Sequence, residues 1–389
     1  MEDKGIPLEK NENLEDWLKA RDNNAFPKFS ISKGEKPYPE RYFNFSDAIL
    51  PIHNLVEKSA MAAEAQIWIE KCIEKIGKCK DERERTLLLN KFKESDPIMY
   101  LNNHGQGHVN KVIEKVSEML HFFDRGHLTS YEGFFLLCSI QIHDVGNVFG
   151  REEHEKRCRT ILEDKAKPFI PDKFERNVIE KLSLVHGGII NGDRDTIGFL
   201  PDTRMLHEQK IRKRLLAALL RFGDEMADDS SRADNDGLDK GIIPEGCRIY
   251  HHYSASLHTV KIEKDTENEK VQLNLSYEFD SDLATKKLKK NGEYRYLLDE
   301  IYNRTLKLER ERRYCMRFIR PYFSLDGVRV EIIIQHAQNP IKRDIIRYTL
   351  EENGYLSDPP SDTIKLFGEE IRSGEEEVQH LKKEWELQC

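Results

Sequence analysis

The sequence has no CxxC pair among its seven cysteines (Cys72, Cys79, Cys138, Cys158, Cys247, Cys315 and Cys389), and their number is odd. Scattered thiols exclude a disulfide framework and a cysteine-built zinc finger, and they point to a reducing compartment, the cytoplasm. No apolar run approaches the roughly 20 residues of a membrane span. The opening MEDKGIPLEKNENLEDW carries no signal-peptide core, so neither a membrane nor an export route is expected. A dominant charge is missing too: 62 basic residues stand against 70 acidic ones, for a net charge of −8. That balance offers no global attraction for polyanions, which disfavours nucleic acid as a partner and leaves room only for a local basic pocket. Internal repeats and low-complexity segments are also absent.

What is present is a 389-residue chain, 38% hydrophobic and 34% charged, long enough for two or three domains at about 150 residues each. Residues 1–51 read as an irregular leading segment dotted with aromatics. From Leu55 to Phe92 two helices are expected, the second opened by Asp81. The stretch 100–240 continues in helices. HVNKVIEKVSEML places Val112, Ile113, Val116 and Met119 at helical spacing, and YEGFFLLCSIQIHD is a nearly continuous apolar run suited to the middle of a bundle. Nothing there alternates with period two. After Asp236-Gly237 the pattern changes: VQLNLSYEF alternates cleanly, HTVKIEK pairs with it as a hairpin, and GVRVEIIIQ gives a third strand. A long charged helix is expected from Asp282 to Ile319, and residues 341–389 are expected to return to helix. The resulting divisions are 1–51, 52–240 (helical), 241–340 (small α+β) and 341–389 (helical tail).

Five segments of the helical region carry groups that a hard or borderline metal ion accepts. They hold His104 and His108 in NNHGQGHVNKV, the His143-Asp144 pair, His154 in REEHEKR, His186 in LVHGGIINGD, and Asp224 in LLRFGDEMADD. One helix cannot surround an ion, so imidazole nitrogens and carboxylate oxygens must converge from several. His143-Asp144 ends an apolar helix and Asp224 ends another, where an unpaired buried carboxylate would be costly.

The order His, His-Asp, Asp on helices, with further histidines between, resembles the HD superfamily of metal-dependent phosphohydrolases over about residues 100–240. The resemblance implies an HD-type helical bundle, so with the α+β subdomain and helical C-terminal tail read from the pattern, the fold class expected is mainly α. It also implies that His108, His143, Asp144 and Asp224 hold a primary metal. His154 and His186 match the intermediate histidines that in some branches bind a second metal or contact the scissile phosphate. His104 is an extra-ligand candidate, with a cap or supporting role as the alternative. The GYP motif of the cyclic-di-GMP branch and the His-x-x-x-Phe-Gly-His-type string of deoxynucleotide triphosphohydrolases are both missing.

The expected cofactor is one or two divalent ions of Mn, Fe, Co, Ni, Mg or Zn. Such an ion acidifies a water and offsets charge on a phosphate. Asp144 is the expected proton acceptor, and His154 or His186 the leaving-group acid or a ligand of the second ion. Among the nearby cations Arg151, Lys156, Arg157 and Arg194, Arg151 is taken as a substrate contact together with Arg221 and Arg232. Asp228 is expected to support the ligands from behind. HGGIINGDRDT is glycine-rich but lacks the lysine and hydroxyl residue of a P-loop. The expected partner is a small phosphorylated substrate, a nucleotide in the first instance, with a homo-oligomer as an open option. The other class of function is an HD fold kept as a ligand-sensing or protein-interaction module with little or no turnover.

Overall fold

The computed structural model describes residues 38–59, 105–149, 154–163, 167–190, 192–241, 243–266, 269–351, 367–368 and 370–385. The fold is mainly α, with small sheets appended. The helical part contains α1 (Tyr38–Ser59), α2 (Gln106–His121), α3 (Ser130–Ile142), α4 (His154–Ile161), α5 (Lys173–Leu184) and α6 (Lys213–Met226). A short hairpin, β1 (Arg204–Leu206) and β2 (Gln209–Ile211), precedes α6. Among the described residues no helix is long and apolar enough to cross a membrane.

The bundle is organised around α3. All of its residues from Ser130 to Ile142 are buried, which follows from an apolar run that continues around the whole helix circumference. Thr129 and Glu132 close a reciprocal capping box at its start, satisfying two donors that a helix end leaves open. α1, α5 and α6 pack against it. α2 lies along α6 so closely that a Cβ on Gly223 would stand 2.5 Å from Cγ2 of Val116.

Four local expectations need correction. Residues 38–51 are helical, because Tyr38, Tyr42, Phe45 and Ile49 recur at helical spacing and are all buried. Pro51 lies inside the same helix. The short hairpin interrupts the all-helical reading of 100–240; its turn residues His207 and Glu208 both have positive φ. The helix expected from Asp282 begins only at Leu297. Before it lie β5 (Lys287–Lys290) and β6 (Glu293–Tyr296), joined by Asn291-Gly292 with φ of 51° and 86°. Asn-Gly fits the left-handed pair that tight hairpins require, and this signal outweighs the helix-favouring charges around it. Finally, residues 339–351 form a strand, β8, in which Ile346, Tyr348 and Leu350 alternate into the core. Most of the helices expected between Leu55 and Phe92 lie outside the described residues.

Beyond α6 the chain forms α7 (Glu245–Ser256), β3 (Leu257–Lys264), β4 (Val271–Asp280), the β5–β6 hairpin, α8 (Leu297–Ile319), β7 (Gly327–His336), β8 (Asn339–Glu351) and α9 (Gly374–Trp385). The four-stranded sheet has the order β3-β4-β7-β8. β3 and β4 form the expected hairpin, whereas β4 and β7 run parallel, with α8 in the crossover between them. α8 packs along α6, and the sheet and helices share one apolar cluster. On the edge strand β3, the Val260 carbonyl accepts from Lys115 and the Ile262 N–H donates to Glu118. Two side chains of α2 thus satisfy backbone groups that an open sheet edge leaves bare.

Lys213 opens α6 with its side chain only 1% exposed. Burial, followed by the charges of Arg204 and Lys181, pushes its pKa from 10.5 down to about 8. The folded chain therefore binds this proton less tightly than the unfolded chain. That penalty is full below pH 8 and shrinks as pH rises towards 10.5. Lys213→Met is expected to raise stability at pH 7 by about 1–3 kcal/mol, with the gain fading by pH 10. Urea denaturation at the two pH values measures this, and an equal gain at both would contradict it.

Candidate metal centre

Five helix ends deliver the expected donors to one place. His108 lies in the first turn of α2, and Asp224 in the last turn of α6. His143 caps α3, with Asp144 immediately after it. His154 opens α4, and His186 follows the end of α5. A helix end suits this task, because its last residues can turn inward without displacing a packed interior face. The close turn after Asp144 depends on Gly146, where a Cβ would collide with the backbone carbonyl of His154. That contact fixes His154 relative to the His-Asp pair.

The donors form two groups that meet at Asp144. In the first, His108, His143, Asp144 and Asp224 each offer one atom, all within 4.8 Å of one another; in the second, Asp144, His154 and His186 do the same. His108 Nε2 stands 3.0 Å from Asp224 Oδ1 and 3.8 Å from Asp144 Oδ2. His143 Nε2 is 3.5 Å from each of these oxygens. On the other side, Asp144 Oδ1 lies 3.1 Å from His154 Nε2 and 3.8 Å from His186 Nε2. Separations of ~3–4 Å are those of neighbouring atoms around an ion held by bonds of about 2.1 Å.

The ring orientations match this arrangement. His143 Nδ1 donates to the Ile140 carbonyl at 2.7 Å, and His186 Nδ1 donates to the Ser183 carbonyl at 2.5 Å. Each outer nitrogen donates to a backbone carbonyl, so each Nε2 faces inward towards the carboxylates. His143 is fully buried, yet its Nε2 makes no hydrogen bond. A buried ring nitrogen between two carboxylates, without a hydrogen bond, fits a metal ion.

The electrostatics favour a cation. Burial disfavours a charged His143, but Asp144 and Asp224 outweigh it and raise its pKa to about 9. Burial pushes the Asp224 carboxyl up, while His108 and His143 more than offset that and hold it well below the usual carboxylate range. His108 is lowered by burial and then by the charge of Arg232.

The remaining expected residues divide. Arg232 is 3.7 Å from Asp228, which also accepts from Ser254. Arg221 has other partners: Nε and Nη2, one edge of its guanidinium, both donate to Glu311, and Nη1 donates to Thr196. Arg157 is half-buried and Arg194 exposed. His104, Arg151 and the Lys156 side chain lie outside the described residues.

Three residues near the centre escaped sequence reading. His53, 1% exposed on α1, donates from Nε2 to Gln141, which donates to the Tyr42 hydroxyl. Burial, with the His143 charge contributing, pushes His53 down to about 4. Its spacing from Phe45 and Ile49 is the signal, legible only once that segment is read as a helix. Asn147 is buried with neither amide atom hydrogen-bonded among the described residues. Lys111, one turn along α2 from His108, pairs with Asp229 at 3.0 Å and so holds the segment that carries Arg232.

The HD-CE family profile matches residues 86–307. No curated protein matches the chain. The match takes in His108, His143, Asp144, His154, His186 and Asp224, together with the chain through β3, β4 and the first half of α8.

Replacing both His143 and Asp144 with alanine is expected to abolish bound divalent metal while leaving helical content nearly unchanged. The two side chains contribute to the donor groups rather than to the apolar packing of α3. Elemental analysis and far-ultraviolet circular dichroism measure the two quantities. Wild-type metal content in the variant would rule out this donor assignment.

Proposed function

The chain belongs to the HD-CE family, and we propose that it is a metal-dependent phosphohydrolase acting on a nucleotide or another small phosphoester. The observation that carries this reading is the division of Asp144 between two adjacent donor groups. A divalent ion in such a site lowers the pKa of a water and offsets negative charge on a phosphate, and a second ion ~3.5–4 Å away shares that work. His108, His143 and Asp224 serve the first group, and His154 and His186 serve the second. Borderline ions such as Mn, Fe, Co, Ni or Zn, and also Mg, suit mixed imidazole and carboxylate donors.

The protein's own groups then have separate tasks. His143 and His186 keep their Nδ1 protons on backbone carbonyls, so neither is free to donate a proton through that atom. Asp144, 6% exposed, is the acceptor best placed for a proton leaving the attacking water. Arg232, anchored by Asp228, supplies positive charge to a bound phosphate. Arg221 contributes less in this reading, since its guanidinium is paired with Glu311 and Thr196. The cytoplasm suits such an enzyme, since the buried Cys138, Cys158 and Cys315 are free thiols.

Phosphate release from a panel of nucleotides and simple phosphoesters, after metal analysis of the purified protein, tests the proposal. Metal-loaded protein that releases phosphate from none of them would favour the ligand-sensing module instead. His154→Ala and His186→Ala are each expected to lower the stoichiometry from about two ions to about one and to reduce turnover. Unchanged metal with turnover reduced by about 10²–10⁴-fold would make them proton donors. Arg232→Ala is expected to keep its metal and lose about 10–100-fold in kcat/KM, the value of one charge-assisted hydrogen bond.

A further inference from the structure

A second set of metal-type donors lies at the C-terminal end of the described chain, built from residues that take no part in the centre above. Glu377 and His380 are three positions apart in α9 and so share one face of that helix, while Asp344 meets them from β8. One donor atom from each lies within 4.8 Å of the other two. Glu377 is 2% exposed.

The two carboxylates are wired alike. Each accepts a hydrogen bond on one oxygen and none on the other, although Arg372 Nη1 stands 3.9 Å from Asp344 Oδ2. Asp344 Oδ1 accepts from the Ile345 N–H at 2.9 Å, and Glu377 Oε2 accepts from Arg372 Nη1 at 2.9 Å. Asp344 Oδ2 and Glu377 Oε1 are sealed from solvent without a hydrogen-bond partner. His380 Nε2 lies 3.2 Å from Asp344 Oδ2, but the pair is not aligned for a hydrogen bond. Buried carboxylate oxygens without a hydrogen bond are costly, and outer contacts that hold them inward are those that orient metal ligands.

We propose that Asp344, Glu377 and His380 hold a zinc-class divalent cation that pins α9 onto β8. Two carboxylates and one imidazole leave a further position for water and suit zinc, cobalt or nickel. The competing arrangement is a proton shared by the two carboxyls. Burial, then the neighbouring Asp344, lifts Glu377 to about 7, which such sharing would also produce. A shared proton leaves His380 with only its pairing to Asp344, whereas a cation engages all three donors.

Zinc titration of the metal-stripped full-length chain, followed by dialysis and elemental analysis, decides between them. His380→Ala is expected to bind one equivalent fewer than wild type, and the His143→Ala, Asp144→Ala double variant to retain that equivalent. Cobalt added to the double variant is expected to give visible absorption bands that vanish when His380→Ala is added. The His380 side chain is 29% exposed, so its loss should leave the fold intact. Should the double variant not fold, wild type against His380→Ala alone decides. Wild-type zinc stoichiometry in both His380→Ala and Glu377→Gln would overturn the site.

Discussion

Asp144 is a buried carboxylate with positive or polarisable partners on both sides, and that single constraint organises the helical half of the molecule. A lone carboxylate 6% exposed would pay a large desolvation cost. Here one oxygen faces His108 and His143, and the other faces His154 and His186. With Asp224 adding a second negative charge, the pocket favours a cation strongly enough to raise His143 to about 9. The same charges that would destabilise an ordinary core are those that could hold a metal ion.

Holding that arrangement requires helices to end at the right points and approach closely. α3 is buried on every face, which leaves its terminus as the place from which polar groups can emerge. The missing side chains at Gly146 and Gly223 permit two close contacts, one behind His154 and one between α2 and α6. Backbone carbonyls at the ends of α3 and α5 then take the outer protons of His143 and His186. Each ring is aimed by a group whose position the helix itself sets.

The sheet is coupled to this assembly through helices that also carry site residues. α2 presents His108 at its start and uses Lys115 and Glu118 further along to tie the edge strand β3. α6 carries Asp224 and packs against α8, the crossover of the parallel pair β4 and β7. Salt bridges repeat the link: Arg221 of α6 meets Glu311 of α8, and Lys307 meets Glu225. The sheet and α8 are thus tied to the same helices, α2 and α6, that carry His108 and Asp224.

The sequence by itself determined the helical class, the hairpin of β3 and β4, and the donor types. Apolar periodicity records burial directly, and His-Asp at the end of an apolar run is a costly pattern unless it is used. It misread segments where a short-range signal competed with charge, as at Asn291-Gly292, and it passed over the helical face containing His53. Only the tertiary structure decided that Asp144 serves two donor groups, that Arg221 pairs with Glu311 while Arg232 pairs with Asp228, and that Asp344 meets Glu377 and His380. These are relations between residues far apart in the chain. Spacing along one strand or helix carries no information about them, because they arise when separate elements pack and bring their ends together.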